Sequence, residues 1–184
     1  RGQGGGVSVA SISPEGLRYV SDLVRRRSAI QLGPGKEYLV ECRLLPLAKE
    51  RGLRGARAVD DYVRPVRTDP AEQTRAVEAL TTNETSWFRD TVPFRALADI
   101  AQEARRGTLR IWSAGCSTGQ EPYSIAITLL EAGPHDFHVV ATDLSSVVLQ
   151  QAQEGEYSQL EVNRGLPAPM LVRYFTRADG GWRV

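Results

Sequence analysis

The sequence is poor in the residues from which metal centres and disulfide frameworks are built. Its 184 residues include two cysteines, two histidines and one methionine. Cys42 and Cys116 form no CxxC pair, and neither stands at metal-ligand spacing from His135 or His138. We therefore expect neither a disulfide scaffold nor a metal site. Cys116 precedes a predicted helix, where a thiol can become reactive, but the sequence offers no histidine partner to activate it.

Long apolar runs and net charge are also lacking. No stretch approaches the roughly 18 to 20 apolar residues of a membrane span, and the N-terminus carries no basic segment followed by an apolar block. The 23 basic and 22 acidic residues leave a net charge of +1, which provides no field for nucleic acid or anionic lipid. We expect a cytoplasmic protein that neither inserts into a membrane nor binds nucleic acid.

The first 80 residues have helical patterns after a glycine-rich start. Residues 1–10 (RGQGGGVSVA) have no periodicity and are expected to form a flexible tail. Residues 11–80 are expected to form a helical domain. Its first helix should begin at Ser13-Pro14 and its last at Asp69-Pro70, because each pair places a capping side chain before a proline.

Two further helices are expected between these ends. Apolar residues recur at helical spacing over residues 36–49, although Pro46 should kink this helix or end it early. A weaker helical pattern surrounds Tyr62. The first 80 residues therefore contain helices and loops only.

After Asp90 the pattern changes to alternating helices and strands. It predicts helix, strand, helix, strand and helix at residues 93–104, 109–112, 121–132, 137–141 and 145–153. This order implies parallel strands with right-handed crossovers. A helix over 167–175 and a strand beginning at Trp182 follow. Since an open sheet of this type normally has five or more strands, we expect an α/β protein in which the helical domain precedes the first half of a Rossmann-like, doubly wound domain.

The strongest local signal is the segment IWSAGCSTGQEPYSIAI, residues 111–127. A strand leads into Ala114-Gly115, then Gly119, then a helix starting near Glu121. Small residues let a ligand approach the backbone, and the helix start offers free N–H groups. The spacing is neither the dinucleotide fingerprint GxGxxG nor a Walker loop. The pattern alone leaves two interpretations open, a nucleotide-type ligand site and a tight strand-to-helix turn.

A carboxylate follows the second predicted strand. Asp143 stands at the carboxyl edge of the sheet, where an acid typically binds both ribose hydroxyls of an adenosine ligand. Alternatively, Asp143 caps the helix that opens at Ser145. The two tryptophans that flank the loop region, Trp87 and Trp112, are expected in the core.

Four segments in this order resemble the motifs of the CheR methyltransferases, which methylate glutamate side chains of bacterial chemoreceptors. They are TTNETSWFRD at 81–90, SAGCSTGQEPYSIA at 113–126, ATDL at 141–144, and 157–175 with its closing RYF. The resemblance covers roughly residues 12–184 and is clear from Leu80 onward. It implies a receptor-docking helical domain over 11–80, a motif-bearing linker over 81–92 and an S-adenosylmethionine-dependent methyltransferase domain, incomplete here, over 93–184.

The resemblance also implies site residues. Asn83, Thr85 and Arg89 would approach the methionine end of S-adenosylmethionine, whose product S-adenosylhomocysteine would bind the same cleft. The remaining cofactor-binding residues would be Ala114, Gly115, Glu121 and Asp143. Without the resemblance, residues 81–90 would be interpreted as a polar linker.

The residue types suit methyl transfer to a carboxylate. A glutamate is already ionised at neutral pH, so that the enzyme needs no strong general base and mainly has to orient the reactants. Arg89 is the candidate catalytic residue, because a guanidinium can align the acceptor carboxylate through two hydrogen bonds. Alternatively, Arg89 forms an ion pair with Asp90 or Glu84.

The implied partner is the acidic helical bundle in the cytoplasmic part of a chemoreceptor, and we expect a monomer. The basic candidates for docking are Arg43, Lys49, Arg51 and Arg54. They can equally be solvated helix ends. Leu45 and Pro46 interrupt the basic helix that relatives tend to have, which puts the usual docking geometry in doubt.

Two other functions compete with glutamate methylation. A regulatory or degenerate relative would bind the cofactor without turnover. A nicotinamide-dependent oxidoreductase would share the acid after the second strand, but it predicts GxGxxG at the first turn, which the spacing from Gly115 to Gly119 does not supply.

Overall fold

A computed structural model describes residues 12–104, 107–133 and 136–184 of the chain. The predicted tail at 1–10 and His135 lie outside these residues. The chain divides into two compact units, the first ending at Thr82 and the second running from Asn83 to Val184. No helix in the described ranges has the length and apolar character that would take it across a membrane.

The first unit consists of helices. They are α1 (Pro14–Ser28), α2 (Glu37–Glu50), α3 (Ala58–Thr68) and α4 (Pro70–Ala79). The predicted starts of the first and last helices are confirmed, because the Ser13 hydroxyl accepts a hydrogen bond from the Gly16 N–H and the Asp69 carboxylate accepts one from the Ala71 N–H. These side chains satisfy backbone donors that a helix start would otherwise leave unpaired.

The prediction that Pro46 ends the second helix early is wrong, whereas a kink at this residue stays a prediction. α2 continues through Pro46 to Glu50. Leu44 and Ala48, on either side of the proline, are completely buried in the apolar core of the unit, whereas Pro46 itself is exposed. Packing on both sides of the proline therefore outweighs the lost backbone hydrogen bond, as tertiary contacts often do.

One acidic side chain is buried within this core. Glu72 of α4 is 3% exposed and accepts hydrogen bonds from the Tyr62 hydroxyl at 2.5 Å, from Arg51 at 2.8 Å and from Arg75 at 3.2 Å. Burial alone would raise the pKa of Glu72, but the hydrogen bonds from Tyr62 and Arg51 outweigh burial, and the pKa lies below its ordinary value. The carboxylate is therefore held in its charged form.

The second unit begins with α5 (Thr91–Glu103), two residues earlier than predicted, and continues through β1 (Leu109–Ala114), α6 (Gln120–Ala132), β2 (Phe137–Thr142) and α7 (Ser146–Glu154). The strands β1 and β2 pair in parallel, from Leu109 opposite Phe137 to Ala114 opposite Thr142. The predicted β–α–β–α order and its parallel pairing are confirmed. This pairing brings the carboxyl ends of both strands to one edge of the sheet.

A small antiparallel sheet follows, which the sequence does not predict beyond its last strand. Its strands are β3 (Glu156–Tyr157), β4 (Thr176–Ala178) and β5 (Gly181–Arg183). The helices α8 (Gln159–Asn163) and α9 (Ala168–Tyr174) lie between β3 and β4 in the chain. The strand order is β3-β5-β4. Trp87, Tyr157 and Phe175 form a buried aromatic cluster against this sheet, with ring centroids 4.9 and 5.2 Å from the Trp87 ring.

The two tryptophans predicted to lie in the core, Trp87 and Trp112, differ in their exposure to solvent. Trp87 is 1% exposed, as predicted, but Trp112 is 70% exposed, so that prediction is wrong. Trp112 lies on β1 and its indole N–H donates to the Thr142 hydroxyl at 2.9 Å. An alternating strand buries one face only where a second layer covers it, and Trp112 occupies the other face.

Candidate cofactor site

The glycine loop is tied to the end of the second strand. The backbone N–H groups of Gly115 and Cys116 both donate to the Thr142 carbonyl, at 2.8 and 3.0 Å. Gly115 has a φ of 77°, and a side chain built there would meet nothing within 4 Å. This glycine therefore permits a left-handed turn and leaves open space beside the backbone.

Gly119 is required for a different reason. Its φ is 98°, and a Cβ there would lie 2.7 Å from the Tyr157 hydroxyl and 3.0 Å from the Ala152 Cα. The Tyr157 hydroxyl donates to the Thr118 carbonyl at 2.8 Å. Burial raises the pKa of Tyr157 above its ordinary value, so that the hydroxyl remains a donor. The antiparallel sheet thus supports the loop through one tyrosine.

Both oxygens of the Asp143 carboxylate accept backbone hydrogen bonds. The Ser117 N–H donates to Oδ2 at 2.8 Å, and the Ser145 N–H donates to Oδ1 at 2.9 Å. The capping interpretation is wrong, because no described side chain caps the start of α7 and Asp143 binds the N–H of Ser145, the residue before the helix. Through its other oxygen Asp143 binds the glycine loop. Since each carboxylate oxygen has two lone pairs, both can accept a second donor, such as a hydroxyl.

Ser117 joins this carboxylate to the segment that contains Asn83. Its hydroxyl donates to the Asn83 carbonyl at 2.8 Å while its N–H donates to Asp143. Ser117 is buried and has a φ of 50°, a left-handed conformation that costs a residue with a side chain about 1–2 kcal/mol. Such strain persists where the surroundings impose it, and it is frequent at functional sites.

A cavity of about 570 Å³ opens beside the loop, and we call it the cofactor cavity. Four predicted site residues line it: Thr85, Arg89, Gly115 and Glu121. The rest of the lining consists of Glu84, Ser86, Asp90 and apolar residues of α5, β1 and α6. Its volume is in the range of small-molecule sites. Glu121 lies in the first turn of α6, and its Oε1 accepts a hydrogen bond from the Ser113 hydroxyl at 2.7 Å. The glutamate is thereby fixed at the cavity wall.

The other predicted cofactor-binding residues are not among those that line this cavity. Ala114 ends β1 and is exposed. Asn83 and Asp143 are both bonded to Ser117, one through its carbonyl and one through its carboxylate. Ala114 and Asn83 lie close in sequence to lining residues, because Gly115 follows Ala114 and Thr85 stands two residues from Asn83. Asp143 has no such neighbour and is connected to the glycine loop through Ser117.

Arg89 lines the cofactor cavity without forming the ion pair that we weighed as an alternative. Its guanidinium donates to the Glu84 carbonyl at 3.1 Å. The Glu84 side chain instead pairs with Arg164 at 3.2 Å. Among the described residues, no carboxylate lies within ion-pair distance of Arg89, so its positive charge is available to an anionic ligand.

Two remaining sequence predictions concern cysteine chemistry and metal ions. Cys116 is 1% exposed, and burial, followed by the nearby Asp143, raises the pKa of its thiol. A buried neutral thiol is a poor nucleophile. The described ranges contain no group of three histidine, cysteine or carboxylate side chains placed to hold a metal ion. His138 is exposed on β2.

The basic residues predicted for partner docking fall into two groups. Arg43 donates to the Ala79 and Thr81 carbonyls at the end of α4, and Arg51 binds Glu72. Neither Lys49 nor Arg54 has an ion pair or side-chain hydrogen bond to any described residue. Two of the four candidates therefore have structural contacts inside the helical unit.

Sequence reasoning missed Ser117 and Tyr157, which hold the loop in place. A signal for Ser117 was present, since it is a polar residue between two glycines. The contact of Tyr157 with Gly119 spans 38 positions, and no local pattern could indicate it.

A parallel β–α–β unit with an open glycine loop and an acid after its second strand defines a nucleotide-type ligand-binding domain. Residues 83–184 match the family profile "CheR methyltransferase, SAM binding domain", and residues 15–81 match "CheR methyltransferase, all-alpha domain". This chain belongs to the CheR methyltransferase family, whose cofactor is S-adenosylmethionine.

Curated relatives agree with this assignment. Chemotaxis protein methyltransferase 1 of Pseudomonas aeruginosa is 38% identical over 177 residues, which are 88% of this chain and 63% of the relative. The chemotaxis protein methyltransferase of Vibrio parahaemolyticus is 38% identical over 95% of this chain and 66% of its own length. Chemotaxis protein methyltransferase 2 of P. aeruginosa is 42% identical over 90% and 60%, respectively. The chain thus spans somewhat less than two thirds of these relatives.

The residues present fit S-adenosylmethionine. The open side of Gly115 leaves room for a ligand against the backbone, and each Asp143 oxygen, which accepts one backbone N–H, could accept a second hydrogen bond such as that of a ribose hydroxyl. Glu121 provides a negative charge at the cavity wall, which suits a cofactor with a sulfonium and an ammonium group. Arg89 provides the positive charge that suits a carboxylate.

Proposed function

We propose that this chain contributes the cofactor-binding site of an enzyme that transfers a methyl group to glutamate side chains of chemoreceptors or related signalling proteins, giving glutamate methyl esters. The observation that carries the proposal is the cofactor cavity, in which Glu121 and Arg89 face one space from different elements. Bound S-adenosylmethionine supplies an electrophilic methyl group, whose transfer to a carboxylate leaves a methyl ester and a neutral thioether.

The roles of the chain's own residues follow from their contacts. Asp143 would accept hydrogen bonds from the ribose, because two backbone N–H groups already fix its carboxylate. Ala114 and Gly115 would lie beneath the cofactor, since a side chain at Gly115 would meet open space. Glu121, held by Ser113, would balance positive charge, and Asn83 and Thr85 would approach the methionine end.

Arg89 would hold the acceptor carboxylate. It lines the cavity and lacks an acidic partner among the described residues, and a guanidinium binds a carboxylate with two parallel hydrogen bonds. The acceptor glutamate is ionised at neutral pH and needs no general base. The contribution of Arg89 is therefore orientation, at some cost to the nucleophilicity of the oxygen that it binds.

The helical unit would dock the receptor. Of the four basic candidates, Lys49 and Arg54 have neither an ion pair nor a side-chain hydrogen bond to a described residue, whereas Arg43 and Arg51 are engaged within the unit. The names of the relatives point to chemotaxis, and the receptor segment that they imply lies in the cytoplasm. We therefore place the enzyme there and propose that it acts as a monomer.

Two assays on the full-length protein test the proposal. Calorimetric titration with S-adenosylhomocysteine should give binding, which Asp143→Asn should weaken about tenfold through loss of a charged acceptor. Transfer of a radiolabelled methyl group to a receptor cytoplasmic domain should then fall about 100-fold in Arg89→Ala, as expected when an orienting contact is lost. Arg177→Ala, an exposed arginine on β4, is the matched control and should behave as wild type.

The outcomes separate the proposal from its alternatives. Binding of S-adenosylhomocysteine without methyl transfer would favour a regulatory relative that binds the cofactor without turnover. Absence of binding by the intact protein would exclude both functions. Equal transfer by the Arg89 and Arg177 variants would remove Arg89 from the reaction but leave the activity itself standing.

A further inference from the structure

A second cavity adjoins the cofactor cavity. It has a volume of about 870 Å³, and Ser86, Arg89 and Phe94 line both cavities. The larger one extends to α6 through Thr128 and to α9 through Met170. We call it the α5–α9 cavity. It belongs entirely to the second unit, and no role has been given to it above.

The charges around the α5–α9 cavity favour an anion. Arg89, Arg95 and Arg164 all line it. Arg164 pairs with Glu84 at 3.2 Å. Glu131, the one acid among the described residues that line this cavity, pairs with Arg173 at 2.7 Å. No carboxylate among the described residues lies within ion-pair distance of Arg89 or Arg95. Two guanidinium groups are therefore uncompensated beside one cavity.

The rest of the wall combines apolar residues with the polar residues Ser86, Thr91, Gln102 and Thr128. Phe88 has a φ of 48° and contacts the Phe94 ring edge-on, with centroids 5.3 Å apart. The backbone N–H of Trp87 donates to the Arg164 carbonyl at 3.0 Å. Only glycine fits at Gly165, because a Cβ there would lie 2.2 Å from the Trp87 carbonyl oxygen. The backbone of Trp87 therefore packs directly against Gly165, and Phe88 beside it has a left-handed conformation of the kind that is frequent at functional sites.

Trp87 adds a further observation. It lines the α5–α9 cavity, and its indole N–H is buried without a hydrogen-bond acceptor among the described residues. A buried donor without an acceptor is uncommon in a native fold and calls for an explanation. Because this nitrogen is not accessible to solvent, a ligand in the cavity could not reach it, and the arginines alone favour an anion.

We propose that the α5–α9 cavity receives the acceptor segment, an acidic peptide with apolar residues beside its glutamate, and that Arg95 selects for the negative charge of that segment. This inference rests on the proposed function. Because Arg89 lines both cavities, a carboxylate that reaches Arg89 from the α5–α9 cavity arrives at the border of the cofactor cavity. Methyl transfer needs such an approach, since reacting atoms must come within about 3–3.5 Å.

The test uses full-length protein and a synthetic acidic peptide that contains glutamate flanked by apolar residues. Arg95→Ala should raise the KM for this peptide about tenfold, the effect of one charged hydrogen bond, and leave kcat within about twofold. The Kd for S-adenosylhomocysteine should not change, and Arg95→Lys should restore part of the KM. Arg110→Ala, an exposed arginine of β1 outside both cavities, is the matched control.

Each result decides a separate claim. A KM for Arg95→Ala equal to that of Arg110→Ala would overturn the assignment, and so would a change confined to the Kd for S-adenosylhomocysteine. If the wild-type enzyme transfers no methyl group, the proposed function fails. Peptide binding measured by fluorescence anisotropy then tests separately whether the α5–α9 cavity binds the acidic peptide. Weaker peptide binding by Arg95→Ala, or weaker binding of a peptide with glutamine in place of glutamate, would support the α5–α9 cavity as the peptide site. Equal binding would overturn that assignment.

Discussion

The helical unit and the α/β unit differ in whether their charged side chains are paired within the unit or face a cavity. In the helical unit, the charge of the buried Glu72 is balanced by Arg51 and Arg75, and its carboxylate also accepts a hydrogen bond from Tyr62. In the α/β unit, Arg89 and Glu121 face a cavity, and the nearby Ser117 is held in a left-handed conformation. The first arrangement specifies a stable packing, whereas the second leaves charge and space for a ligand at a cost in stability.

The largest loss of stability is expected on substitution of Glu72, whose hydrogen bonds and ion pairs all lie within the helical unit. Glu72→Ala removes a buried charge, leaves the Tyr62 hydroxyl without its acceptor, and should lower the free energy of unfolding of this unit by about 3–5 kcal/mol. Glu37→Ala, an exposed acid in the first turn of α2, should cost about 0.5 kcal/mol. Hydrogen exchange followed by mass spectrometry on peptides from residues 12–82 measures both. Equal losses would contradict the distinct role of Glu72.

Alanine substitutions at Gly119 and Gly115 in the α/β unit should differ in their effect on stability. Gly119→Ala should lower stability by about 3 kcal/mol, because it combines a left-handed φ with a clash against Tyr157 and Ala152. Gly115→Ala should cost only about 1 kcal/mol, since its side chain meets open space. Calorimetry should nevertheless find that Gly115→Ala weakens S-adenosylhomocysteine binding, because the new methyl group enters the cofactor cavity. Unchanged affinity would place the ligand elsewhere.

A smaller difference is expected between two substitutions of Ser117. Ser117→Ala and Ser117→Gly both remove the hydroxyl that binds the Asn83 carbonyl, but only glycine relieves the left-handed strain. The glycine variant should therefore be about 1 kcal/mol more stable than the alanine variant by urea unfolding. If Ser117 positions Asn83 and Asp143 for the cofactor, both variants should bind S-adenosylhomocysteine more weakly despite their different stabilities. Affinities that follow stability instead would assign Ser117 a structural role only.

The smallest change is expected on acidification, since protonation removes the charge of Glu72 but leaves its side chain in place. A carboxyl group with a lowered folded-state pKa stabilises the fold above its unfolded pKa, and this contribution disappears as the pH falls through the folded value. The helical unit should therefore lose stability from about pH 4.3 downward. Urea unfolding of wild type and Glu72→Gln measures the slope, which should be steeper in wild type. Parallel slopes would show that other groups control acid stability.

Local patterns were sufficient for much of the fold. The starts of α1 and α4 follow from Ser13 and Asp69 before prolines, and the alternation of strands and helices after Asp90 indicated parallel pairing. The course of α2 through Pro46 could not be predicted, because it depends on core contacts at Leu44 and Ala48. Tertiary packing overrode the local preference there.

The sequence was sufficient to predict which residues line the candidate site, but not which hydrogen bonds hold the site together. The motifs indicated Gly115, Glu121 and Arg89, which the structure brings to one cavity. They gave no indication that Ser117 links Asn83 to Asp143, or that Tyr157 supports the loop. Those contacts join positions 26 to 39 residues apart, and such pairings follow from the folded topology alone.

The chemical nature of the product tests the central claim most directly. Full-length protein should be incubated with radiolabelled S-adenosylmethionine and a receptor cytoplasmic domain, and the labelled receptor then treated with alkali. A glutamate methyl ester should release its label as volatile methanol, and receptor with glutamine at the acceptor positions should take up none. Label that resists alkali, or equal labelling of the glutamine-substituted receptor, would contradict transfer to a glutamate carboxylate.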